Sequence, residues 1–223
     1  MSKIPFSELE TAAYCPRKLY YRRRDGVDVP ERVAERRDLA FRYGDLLEGP
    51  AESLVDLPLA VGPAEFRANL DRARRRFEAA WFAIRDPSER DRLAEGRECR
   101  GVVHKVLSDD AVGLAPAMVF AGDPPEQGVW EPQAVRTVAA AKALSWEAER
   151  SVDRAFVEYP AHGAVREIEL TTRRKAAYRS AVEAVRSLDG PPPRLRGDAK
   201  CDACEYRSEC GVRTRSLKSL LGL

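Results

Sequence analysis

Two periods organise the apolar positions of this chain. Near the N-terminus Ser7 precedes Glu10 by three residues, the spacing of a capping box. It predicts a helix through Leu9 that stops before Cys15-Pro16, and a second short helix carrying Leu19, Tyr20 and Tyr21. Gly26 and Pro30 mark residues 25–35 as a loop. Leu39, Tyr43 and Leu46 then recur at helical spacing over residues 36–48. The clearest helical stripe is Phe66, Leu70, Phe77, Trp81 and Ile84 over residues 64–85, ended by Asp86-Pro87. Residues 99–107 and 112–121 are Val-rich and flank the turn-like Ser108-Asp109-Asp110, so they read as strands. A Pro/Gly loop covers 122–133 and a helix 134–150. Residues 154–160 and 165–171 form a hairpin around His162-Gly163, with Ile168 and Leu170 alternating with Glu167 and Glu169. A last helix starts at Thr172 with Tyr178, Val182, Val185 and Leu188 on one face. Gly190 and Pro191–Pro193 end it as a stiff spacer.

This order predicts one α/β domain over residues 1–223, a small sheet covered by helices. Apolar residues make up 44% of the 223, too many for a chain that cannot collapse. No stretch approaches the roughly 20 apolar residues of a membrane span, so no membrane partner is expected. The opening MSKIPFSELE has acids and a proline where a signal peptide has an apolar run, so a cytoplasmic location is expected. The net charge of +2 neither demands nor excludes a polyanion. The runs Arg22–Arg24 and Arg74–Arg76 read as solvated helix faces.

The cysteines narrow the chemistry. In a chain without an export signal, structural disulfides are not expected. Cys201-x2-Cys204-x5-Cys210 gathers three thiols in one short stretch, and a C-x2-C turn can aim two sulfurs at one metal. Cys15, followed by Pro16, is the natural fourth ligand. A structural zinc would use the same four residues, as would an iron–sulfur cluster. Cys99 sits in a strand pattern and reads as a buried core thiol.

Tyr14-Cys15-Pro16-Arg17-Lys18-Leu19-Tyr20-Tyr21, together with Cys201, Cys204, Tyr206 and Cys210, resembles the two cysteine boxes of the CRISPR-associated RecB-like exonucleases, the fourth core Cas type. Gly122–Trp130 (GDPPEQGVW), Phe156–Tyr159 and Glu167–Thr171 are similar to further stretches of that family. AddB-type helicase–nucleases carry the same iron–sulfur staple. The resemblance implies a RecB-like restriction-endonuclease core, with residues 1–24 and 195–223 forming a cap around a [4Fe–4S] cluster held by Cys15, Cys201, Cys204 and Cys210. It further implies DNA as substrate and CRISPR integrase proteins as partners.

The family holds Mg²⁺ or Mn²⁺ with carboxylates beside a lysine. Placed on this chain, the acid of its G-x-x-D motif becomes His104, after Gly101. The acid and lysine of E-x-K become Met118 and Phe120. Val138 and Lys142 stand at the Q-x3-Y positions, and Glu48 near the early histidine. A divalent ion is therefore not expected there. Glu48 with His104 is the residual metal pair. Asp109, Asp110, Asp123 and Glu126 are the carboxylates that a migrated site would use, and otherwise read as turn residues. The resulting expectation is a pseudonuclease that binds DNA or a partner protein. The rivals are an active exonuclease with a rearranged site and a metal-stapled assembly subunit without DNA affinity.

Overall fold

The computed structural model describes residues 2–195 and 199–212. Residues 196–198 and 213–223 of the expected cap lie outside the described residues. The fold is α/β: a mixed six-stranded sheet with helices on both faces. The strands are β1 (Ile4–Pro5), β2 (Glu89–Glu95), β3 (Cys99–Asp109), β4 (Gly113–Val119), β5 (Arg154–Tyr159) and β6 (Ala164–Glu169). The path runs β1-β3-β4-β5-β6, and β2 pairs with β3. β2–β3, β3–β4 and β5–β6 are antiparallel, whereas β1–β3 and β4–β5 are parallel. The parallel β4–β5 pair needs a long crossover, and α7 (Glu131–Glu147) supplies it.

One face of the sheet is covered by α7 together with α1 (Phe6–Tyr14) and α8 (Thr172–Arg186). Ala139, Ala140, Ala141 and Ala143 of α7 are fully buried, and small side chains let the helix lie close: a Cβ on Gly96 would stand 3.1 Å from the Ala143 Cα. The other face carries α3 (Glu31–Asp38), α4 (Tyr43–Glu48), α5 (Pro63–Arg76) and α6 (Glu78–Arg85) around Phe66, Leu70, Tyr43, Trp81 and Phe156. Each face has its own core, so the side chains of β4 and of Phe120 just after it divide between them: Ala115, Ala117 and Val119 go one way, Met118 and Phe120 the other.

Several local expectations are corrected. Ser7 is not a cap. α1 starts at Phe6 after Pro5, without a side-chain cap, and the Ser7 carbonyl accepts from the Thr11 hydroxyl. The 25–35 loop ends at Glu31, where α3 begins. The helix expected over 36–48 is instead the end of α3, a 3-10 turn at Leu39–Phe41 and α4. The long helix over 64–85 breaks at Phe77, which leaves helical dihedrals (φ −110°, ψ 34°) and turns its ring edge-on to Phe156. The stripe survives the break because Phe66, Leu70, Phe77, Trp81 and Ile84 all reach one core. β1 and β2 were not foreseen; β2 reads ERDRLAE, with no apolar run to announce a strand.

Candidate functional site

The Cys15–Pro16 break joins α1 to α2 (Pro16–Asp25), and the cysteine-rich tail docks on that corner. Tyr21 stacks on Tyr206 at 5.1 Å between centroids. Lys18 and Arg22 both pair with Glu205, at 2.7 and 3.0 Å, and Arg24 pairs with Glu209 at 2.5 Å. Partial burial opposes ionisation of Glu205, but the hydrogen bond from Lys18, a backbone hydrogen bond and the charges of Lys18 and Arg22 together outweigh it and hold the carboxyl below its usual range. The Tyr14 hydroxyl donates to the Lys200 carbonyl at 2.6 Å. Buried Arg17 donates to the Pro192 carbonyl at 2.9 Å, which fixes the proline spacer against α2.

These contacts bring Cys15, Cys201, Cys204 and Cys210 to the wall of one cavity. All four are half-buried and none is in a disulfide. Arg17, Lys18, Lys200 and Arg207 line the same cavity, a surplus of positive charge beside groups that bind metals as thiolates. The donor set suits a soft, thiolate-loving centre in kind and number. The sulfurs share the cavity without being closed on one point: among the described residues, no group of three or more Cys, His, Asp or Glu side chains is poised to hold a metal ion. Cys99 lies apart. It is buried in the core, its thiol aimed at the Ala139 carbonyl at 3.7 Å and met by the Tyr178 hydroxyl at 3.3 Å.

Of the positions set against a nuclease metal site, His104 lies where β3 loses a partner, and it bonds Val119, between Met118 and Phe120. Arg100 pairs with Pro5 of β1 on one edge and with Glu95 of β2 on the other. Lys105 likewise has β2 on one side and Ala117 of β4 on the other. β1 and β4 therefore share an edge of β3 and leave residues 101–104 without a strand partner on that edge, a fork in the sheet. Gly101 stands in the fork because a Cβ there would come within 2.5 Å of the Phe6 ring.

His104 closes the fork. Its Nδ1 accepts from the Val119 backbone N–H at 2.8 Å, in place of a ladder bond between strands. Burial, reinforced by the charges of Arg136, Arg37 and Lys105, holds its pKa well below the usual histidine range. Met118 is fully buried, and Phe120 lies 6.4 Å from the Tyr159 ring with the Arg136 guanidinium 5.7 Å over its face. Val138 is core, and the Lys142 ammonium sits 5.5 Å over the Tyr178 ring. No carboxylate stands at any of these positions. Glu48 does not join His104: its side chain is 80% exposed and, among the described residues, makes its ion pair with Arg85, at 4.0 Å. Asp109 accepts from the Ala111 and Val112 N–H groups and so acts as a turn residue. Asp123 pairs with His162 at 2.8 Å.

One polar cluster was missed from sequence. On the opposite face from Met118, Lys105 donates to Glu158 (2.8 Å) and to the carbonyls of Ala40 and Ile84 (2.7 Å each), with both side chains at 0% exposure. The Tyr43 ring lies 4.7 Å from the ammonium. Burial pushes Glu158 up and Lys105 down, and their mutual attraction opposes both shifts. The signal was present: Lys105 and Glu158 are charges set within the largely apolar stretches VVHKVL and AFVEY.

A scan against models of known protein families finds no match, and a search of curated proteins finds none. No helix among the described residues is long and apolar enough to cross a membrane.

Proposed function

We propose that this chain is a metal-stapled protein of the RecB-like nuclease fold that no longer cleaves DNA and acts by binding it, in spacer acquisition by analogy with the CRISPR-associated family. The carrying observation is the cavity that gathers Cys15 from one end of the described chain with Cys201, Cys204 and Cys210 from the other. Those four residues would hold a [4Fe–4S] cluster, whose metal–sulfur bonds tie the two ends together when it is bound. Zinc would be held by the same four thiolates.

The second half of the reading rests on the fork. A hard divalent cation needs oxygen ligands. Here the three aligned positions offer a thioether, a phenyl ring and an imidazole whose Nδ1 is already taken by Val119. Arg37, Arg136 and Lys105 add positive charge around His104, which repels a second cation. Anaerobically purified protein should be brown, with visible charge-transfer absorption and stoichiometric iron and sulfide, and should leave DNA uncut in Mg²⁺ or Mn²⁺. Colourless protein with one zinc replaces the cluster and keeps the staple. Metal-dependent cleavage that is lost on alanine substitution of Glu48, Asp109, Asp110 or Glu126 overturns the silent-nuclease reading.

A further inference from the structure

On the sheet face away from the cysteines, α4, α5 and α6 enclose an open cavity of about 330 Å³. Its walls carry Arg67, Arg74 and Arg85 against the carboxylates of Glu48 and Asp71, with Trp81 at its base. The charges are unevenly matched. Asp71 is shared by Arg74, at 2.7 Å, and by Arg75. Among the described residues, the ion pair of Arg85 is the 4.0 Å contact to Glu48. Arg67 is fixed in place by donating to the carbonyls of Leu46 (3.2 Å), Gly49 and Pro50 (2.9 Å). It keeps its full positive charge, because carbonyls do not neutralise a guanidinium. Arg67, Arg74, Arg75 and Arg85 thus face two carboxylates. Gly44 leaves room for the Arg85 stem, since a Cβ there would lie 3.3 Å from its Cδ.

Phe82 lies next to this rim. It is 62% exposed, on a helix whose neighbours Trp81 and Ala83 are buried, and the Arg85 guanidinium sits 5.7 Å over its ring. A large apolar ring held in solvent beside guanidinium groups gives nothing to the core. It offers a flat face to an unstacked base, while the arginines face a phosphate backbone. Duplex DNA keeps its bases stacked inside, and a surface ring reaches them only by prising a base step apart at a cost of a few kcal/mol.

We propose that the α4–α5–α6 groove is a binding site for single-stranded nucleic acid, with Arg74 and Arg85 on phosphates and Phe82 stacked on a base. The inference rests on the nucleic-acid-binding reading above and gives it a place remote from the sheet fork. The test is fluorescence anisotropy of a labelled oligo(dT) titrated with the full chain across a salt series. Phe82→Ala and Arg85→Ala should each weaken binding about fivefold or more. Arg74→Gln should lower the slope of log affinity against log salt by about one. Arg186→Ala, on α8 against Glu98, should bind as the parent does. Thermal melting checks that each variant is folded; Phe82→Ala and Arg74→Gln alter mainly solvent-exposed groups, so the test survives if Arg85→Ala does not fold. If the parent binds oligo(dT) and the groove variants bind equally well, the groove assignment is overturned and the DNA-binding reading stands. If the parent binds no DNA at low salt, that reading falls too. If a duplex binds as tightly and Phe82→Ala is silent, the single-strand assignment is overturned.

Discussion

At the scale of single residues, His104 has the sharpest measurable consequence. Its folded pKa lies well below that of an exposed histidine, because it is buried and surrounded by cations. An unfolded chain takes up a proton at this residue below about pH 6.5 while the folded one does not. Stability supported by neutral His104 is therefore complete above about pH 6.5. It is lost as pH falls from there toward the folded pKa, with a slope approaching about 1.4 kcal/mol per pH unit. Urea midpoints measured between pH 5 and 7.5 should fall toward acid in the parent, and His104→Gln should flatten that fall. An equal acid dependence in both proteins would place the titrating group elsewhere. The sequence pointed to this residue through a motif position, Gly101-x-x-His104, but not to its role. That role depends on β3 and β4 parting after Lys105, which no local pattern reports.

At the scale of elements, the Lys105–Glu158 pair locks three parts of the fold. It joins β3 to β5, and through the Ala40 and Ile84 carbonyls it holds the turn before α4 and the end of α6. Removing one partner strands a buried charge: Lys105→Met should destabilise the protein by about 3–5 kcal/mol. Lys105→Met with Glu158→Leu should cost less than Lys105→Met alone, since the orphaned carboxylate goes with it. Chemical denaturation of the two variants decides this, and a double variant as unstable as the sum of the singles would contradict it. Elements with a strong apolar stripe were legible, including α8 and the β5–β6 hairpin. Breaks within stripes were not. Phe77 and the Leu39–Phe41 turn keep their side chains in the core while the backbone leaves the helix, and periodicity records only side chains. β2 was invisible because six of its seven residues are exposed or half-buried, so its pairing with β3 rests on backbone bonds.

At the scale of the whole molecule, the tail and the N-terminal corner are held by an aromatic stack, surface ion pairs and a tyrosine hydrogen bond. Individually exposed ion pairs contribute about 0–1 kcal/mol, so the clasp without metal is weak. A metal held by the proposed ligands would add its bonds to the clasp and stabilise the folded chain by mass action. Chelation or Cys15→Ser should raise amide hydrogen exchange in residues 199–212 and lower the melting temperature, whereas Cys99→Ser should leave that exchange unchanged. Equal exchange in the Cys15 and Cys99 variants would remove Cys15 from the ligand set. The spacing of Cys201, Cys204 and Cys210 and the Cys15-Pro16 step marked four residues that line one cavity. The Tyr21–Tyr206 stack that positions them was not legible, because nothing local links two tyrosines so far apart. The same clasp also sets a clock. Tyr14 and its acceptor Lys200 are separated by 186 residues. At roughly 5–20 residues per second, a ribosome needs roughly 10–40 s to deliver the second after the first. Throughout that interval the Cys15 thiol waits without its tail, so the corner that begins the chain is among the last parts of the molecule to be finished.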